Sequence, residues 1–121
     1  MGPGIADGFT EVGQLEPDGL IAGEFPRVSK YVTITGTGEL RAGAVLGEIV
    51  ADERYRLSAS AATDGSQVPD AILAETIDLA LGDVSARVYL TGQYTREALT
   101  LGTGHTMATV RRVLRQRQIF I

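Results

Sequence analysis

From residue 27 onward the chain is written in short apolar runs separated by turn residues, and six of these runs have strand character. Residues 31–35 (YVTIT) are β-branched and aromatic, and Gly36-Thr37-Gly38 supplies turn chemistry behind them. The stretch ELRAGAVLGEIV at 39–50 predicts a turn feeding a strand. Gly43 can adopt the positive φ of a tight turn, and the nearly continuous apolar content of 44–50 predicts a strand buried on both faces. Asp52-Glu53 predicts a turn and Tyr55-Arg56-Leu57 a short strand beyond it. Residues 58–68, SASAATDGSQV, are small and polar and predict a surface loop turning at Asp64-Gly65. Residues 71–77 predict another apolar strand, preceded by Pro69, which suits a strand start or an edge. After a turn at Gly82-Asp83, residues 84–90 alternate with period two. Val84, Ala86, Val88 and Leu90 fall on one face, and Ser85, Arg87 and Tyr89 on the other.

One segment has helical spacing. Met107, Val110, Val113, Leu114 and Arg117 recur at intervals of three and four, with Thr103 or Thr106 as cap and Arg111, Arg112 and Arg115 on the remaining face. A helix at 106–117 follows, and Ile119-Phe120-Ile121 then predicts a short strand returning to the sheet. There is no internal repeat.

Residues 1–26 follow a different rule. They hold six glycines, three prolines and five acids without a base, and their apolar residues keep no period. Such a segment buries too little surface by itself to offset its ordering entropy. Seven sizeable apolar side chains, Ile5, Phe9, Val12, Leu15, Leu20, Ile21 and Phe25, nevertheless punctuate it. We therefore expect an arm at 1–26 that orders against a partner, by strand addition, and one mainly β domain at 27–121. Fifteen glycines in 121 residues fit many turns and short strands.

Charge and composition narrow the functions. The net charge of −4 conceals an asymmetry: residues 1–83 carry 14 acids and 5 bases, residues 84–121 one acid and 6 bases. An acidic total disfavours general nucleic-acid binding, which needs a broad basic surface. The absence of cysteine excludes disulfides, thiolate metal sites and a thiol nucleophile. No apolar run approaches the roughly 20 residues of a membrane span, and the N-terminal stretch lacks a secretory pattern. A soluble protein is expected.

Reactive constellations are missing too. His105 is the single histidine, too little for zinc without cysteine, and no Gly-x-Ser-x-Gly elbow accompanies it. Gly102-Thr103-Gly104 precedes the helix without the lysine of a phosphate loop, and reads as a flexible lead-in. The glycine turn at 43–47 also suggests a lipoyl- or biotinyl-like carrier, or a small-ligand β domain of an enzyme complex. The one lysine, Lys30, lacks the flanking residues of either carrier motif. Neither an enzyme nor a cofactor is expected.

Read in order, ELRAGAVLGEIV (39–50), YRLSAS (55–60), DAILAETIDLALGDVSARVYLTGQY (70–94), EAL (97–99) and LRQRQIFI (114–121) resemble the bacteriophage head decoration proteins of the lambda type. That family's basic-x-Gly-x-Val-Leu-Gly turn maps onto 41–47, its Ile-Leu-x-Glu strand onto 72–75, its Val-Tyr-x-x-Gly strand end onto 88–92, and its final helix and apolar terminus onto 110–121. The family's usual glycine before the terminal apolar residues is Gln118 here. The resemblance, over about residues 30–121, implies a β-clip-like domain with short strands and one C-terminal helix. It implies a homotrimer on the outside of the expanded head, at threefold positions, cementing the major capsid protein of a tailed phage. It places the protein on the virion, and in the host cytoplasm during assembly, with neither nucleic acid nor membrane as a partner. The arm would order on the capsid, with Ile5, Phe9, Val12, Leu15, Leu20, Ile21 and Phe25 as its contacts.

Overall fold

A computed structural model describes residues 20–22 and 26–121. Among these residues the short apolar runs form nine strands: β1 (Ser29–Ile34), β2 (Glu39–Leu40), β3 (Val45–Glu48), β4 (Tyr55–Leu57), β5 (Ala71–Leu73), β6 (Ile77–Asp78), β7 (Val84–Tyr89), β8 (Gly92–Gln93) and β9 (Ile119–Phe120). A 3₁₀ turn at Arg96–Ala98 and one helix, α1 (Met107–Arg115), complete the elements. Five strands close a barrel in the order β1-β4-β3-β5-β7, and β7 returns antiparallel to β1 from Ser29 opposite Tyr89 to Ile34 opposite Val84. The β1–β4 pair is parallel and the other neighbours are antiparallel. The mainly β fold class with a C-terminal helix is thus as the sequence predicts.

The pleat sends successive side chains to opposite sides of the wall, and here both sides are apolar. Ala44, Leu46, Ala71, Leu73, Ala86 and Val88 enter the barrel interior with Ile34, Tyr55 and Leu79. Their neighbours Val45, Ile72, Ala74 and Tyr89 point outward into a second cluster with Tyr94, Val110, Leu114, Ile119 and Leu20. This is why 44–46 and 71–74 read as continuous apolar runs. The alternation at 84–90 is also as predicted, except that Tyr89, on the face opposite Val88, is buried by the outer layer.

The motif glycines serve close approach. Gly43 has φ +99, and a Cβ there would overlap the Ala98 carbonyl oxygen; a Cβ on Gly47 would overlap the Ser66 carbonyl. Consequently the 58–68 loop is not purely superficial. Ser58 and Ser66 are fully buried, because the loop backbone lies against Gly47 of β3 at Ser66 and against Gly102 at Ser58. The expected Asp64-Gly65 turn is present, with Asp64 Oδ1 accepting from the Ser66 amide and hydroxyl. The expected 71–77 strand divides into β5 and β6. At the break Glu75 Oε2 accepts from the Arg87 amide, and Thr76 Oγ1 accepts from the Ala42 amide, so side chains replace ladder partners. Pro69 stands outside β5, which has β3 and β7 on its two sides.

Helix α1 begins with a reciprocal threonine cap. Thr106 Oγ1 accepts from the Thr109 amide, while Thr109 Oγ1 accepts from the Thr106 amide. Val110 and Leu114, one turn apart, are its buried positions. At its far end Gln118 adopts φ 64, the left-handed conformation that a glycine takes without cost, so the chain reverses and delivers Ile119 to the outer cluster. The turn that the family makes with glycine is kept, under strain. Left-handed backbone costs a non-glycine residue roughly 1–2 kcal/mol, against roughly 0.4–1 kcal/mol of extra unfolded-state entropy for glycine. Gln118→Gly is therefore expected to stabilise the domain by about 0.5–1 kcal/mol, read as a higher urea midpoint at unchanged slope.

Candidate functional site

The leader joins the domain along one edge. The Leu20 carbonyl accepts from the Thr95 amide at 2.8 Å, the Ala22 amide donates to the Gln93 carbonyl at 3.1 Å, and Ile21 stands antiparallel to Tyr94. On the other side of the same segment β8 and β9 pair in parallel, and the Tyr94 amide donates to the Phe120 carbonyl. Thr91 fastens the chain after the leader: its hydroxyl donates to the Pro26 carbonyl and accepts from the Val28 amide. Ser29 faces Tyr89, so an unbroken register would set residue 24 against Tyr94. Ile21 is there instead, so the leader strand holds three more residues than its partner between the two pairings.

Two of the residues expected to contact a capsid, Leu20 and Ile21, are among those described. Leu20 is 1% exposed inside the outer cluster, and Ile21 is half-buried against it, so both side chains are occupied within their own domain. The reason is the apolar outer wall, which a buried leucine covers and a free arm would leave wet. Leu20 and Ile21 pack on the outer cluster, and the Ala22 amide bonds to the Gln93 carbonyl. Ile5, Phe9, Val12, Leu15 and Phe25 lie outside the described residues. Leu20 also floors a cleft of about 480 Å³ bordered by Arg41, Thr76, Glu97 and Thr100. Replacing Leu20 by alanine is expected to cost about 2–4 kcal/mol. Thermal denaturation of the isolated protein, with no capsid present, checks this.

Sequence spacing hid one polar pair. His105 Nε2 lies 3.0 Å from Ser58 Oγ and 3.1 Å from the Gln67 carbonyl oxygen, across 47 and 38 residues of chain. A carbonyl only accepts, so Nε2 carries its hydrogen and does not take a proton from Ser58. Ser58 is moreover wholly buried. The pair straps the 102–106 segment to the 58–68 loop. Lys30 lies inside β1 opposite Val88, not at a hairpin tip where a swinging-arm lysine would stand. Among the described residues no cluster of histidine or acidic side chains is arranged to hold a metal ion.

Opposite charges brace one end of the barrel. Arg54 bonds Asp52 in its own turn and Asp83 in the turn before β7, each at 2.8 Å. Hydrogen bonds from the Arg54 side chain hold both carboxyls below their ordinary range, and the Ser66 hydroxyl and amide do the same for Asp64. Burial, then the charges of Asp70 and Glu48, push the Tyr55 phenol up to about 12. Groups with lowered folded values stabilise the fold fully above the ordinary carboxylate value of 3.8 and lose that contribution as pH falls through the lowered ones. Denaturation midpoints should accordingly fall below about pH 4, and Arg54→Met should flatten that acid limb.

A small barrel carrying an apolar outer layer, with its leader rooted in that layer and its polar pairs consumed in bracing, defines a module that works through its surfaces. The model of the bacteriophage lambda head decoration protein D family matches residues 15–119, and the chain belongs to that family. No curated protein matches the chain. Membership makes it a phage head decoration protein, a structural component associated with the capsid of the virion.

Proposed function

We propose that the protein binds the outside of an expanded phage head as a homotrimer and stabilises it by bridging neighbouring copies of the major capsid protein. The observation that carries this reading is the family match over residues 15–119, which reaches into the leader ahead of the root at Leu20. With Leu20 and Ile21 occupied in the root, capsid contact falls to Ile5, Phe9, Val12, Leu15 and Phe25. Extended segments add to sheet edges through backbone hydrogen bonds, while apolar side chains anchor them in pockets. A trimer brings three such arms to one place, so weak contacts sum through effective concentration. Charge asymmetry favours self-association, since the 84–121 part carries one acid against 6 bases and the remainder is acidic. Assembly would take place in the host cytoplasm and end on the virion exterior, with no part for nucleic acid or membrane.

Deletion of residues 1–19 tests the reading and keeps the root. The truncated chain is expected to stay folded, with the full-length protein's number of subunits by sedimentation equilibrium, and to lose binding to expanded heads in a pelleting assay. Normal occupancy by the truncated protein would remove the arm from the mechanism.

A further inference from the structure

One seam of the barrel is closed by a single pairing. β1 runs beside β7 for its whole length, whereas its other edge meets β4 only where Ile34 pairs with Tyr55. Two hydrogen bonds fix which way each backbone group turns. The Leu90 amide donates to the Val28 carbonyl at 2.6 Å, so by the alternation of an antiparallel ladder Lys30 and Val32 also turn their amides and carbonyls to β7. The Thr35 amide points the other way and donates to the Tyr55 carbonyl at 2.8 Å. Ser29, Tyr31 and Thr33 alternate in step with Thr35, so their amides leave β7 behind, and among the described residues nothing receives them. All three residues are exposed, Tyr31 to 69%. From Ser29 to Thr33 the edge offers about 16 Å of extended backbone at roughly 3.3 Å per residue, a template for an added strand.

The side chains beside this edge decide which strand it suits. β1 and β7 carry Lys30 and Arg87 and no acid, and neither cation makes an ion pair among the described residues. The Glu75 carboxylate is taken up by the Arg87 amide. A second copy laid antiparallel about Tyr31 would set the two Lys30 side chains diagonally on one face, within roughly 8 Å, with no acid on either strand between them. A lysine on an open edge deters such self-pairing, and the same charge favours a strand that brings a carboxylate. We propose that the edge Ser29–Thr33 takes an extended, acid-bearing segment of the major capsid protein as an added strand, with a carboxylate of that segment meeting Lys30. The inference rests on the capsid-binding reading and adds to it a contact made by the barrel itself.

Hydrogen exchange of the full-length protein, read residue by residue, tests it. In the isolated protein the Tyr31 and Thr33 amides should exchange at nearly open-chain rates, while those of Lys30 and Val32 are slow. In protein pelleted on expanded heads the Tyr31 and Thr33 amides should slow by at least roughly tenfold. Heads that bind the protein and leave both amides fast would overturn the edge and spare the capsid reading, whereas a failure to bind heads at all would sink both. Slow exchange of both amides already in the isolated protein would also overturn it, and a slowing that grows with protein concentration would give the edge to a second copy. Two variants probe the same surface by pelleting. Tyr31→Pro removes an amide that the barrel does not use, and Lys30→Glu reverses the charge on an untouched backbone, which covers a failure of the first to fold. Each should weaken binding by at least roughly fivefold. Undiminished binding by a folded Lys30→Glu protein would overturn the proposal.

Discussion

Everything else in this molecule follows from a barrel wall that is apolar on both sides. Val45, Ile72 and Tyr89 face outward with as little exposure as Leu46, Leu73 and Val88 have inside. An outward apolar face needs a cover. The chain supplies one from its two ends: α1 and Ile119 from the C-terminal side, and Leu20 from the leader, with Tyr94 between them. The leader therefore starts from a base held by two backbone hydrogen bonds and a buried leucine.

The same demand for cover accounts for groups that would otherwise suggest chemistry. Gly47 leaves a bare strip on β3, and the Ser66 backbone fills it. That brings the 58–68 loop beneath the segment leading into α1, where His105 fastens it through Ser58 and Gln67. A serine and a histidine at hydrogen-bond distance are here a packing device. The carbonyl of Gln67 fixes the proton on Nε2, and the hydroxyl is closed to solvent.

Much of this was legible in the sequence where local chemistry decides. The runs at 31–35, 55–57 and 84–90 appear as β1, β4 and β7, and the threonine before Met107 caps α1. Continuous apolar content at 44–50 announced two-sided burial, which holds for 44–46 but not for Val50, exposed beyond the end of β3, and the turn glycine at 43 has its positive φ. Legibility ended where distant segments decide. The two-residue strands β2, β6 and β8 carry no period of their own, being defined by partners far along the chain. Leu20 and Ile21 look like the other apolar residues of the leader, and only the edge at 93–95 separates them from those further out. Ser58 and Ser66 are small and polar, as loop residues are, and nothing nearby marks the bare backbone at Gly102 and Gly47 that covers them.

An order-of-magnitude comparison sets the scale of what holds the leader at its root. Fixing three residues costs about 1–2 kcal/mol each in backbone entropy. Burying Leu20 returns about 1.5–3 kcal/mol, and each net backbone hydrogen bond adds about 0.5–1.5. These terms are of similar size before the outer cluster that Leu20 covers is counted, so that cover is what holds the root. The residues ahead of the root carry two separate sets of side chains: Asp7, Glu11, Glu16 and Asp18 on one hand, Ile5, Phe9, Val12 and Leu15 on the other. On the proposed function the apolar set is the one that suits pockets on a capsid.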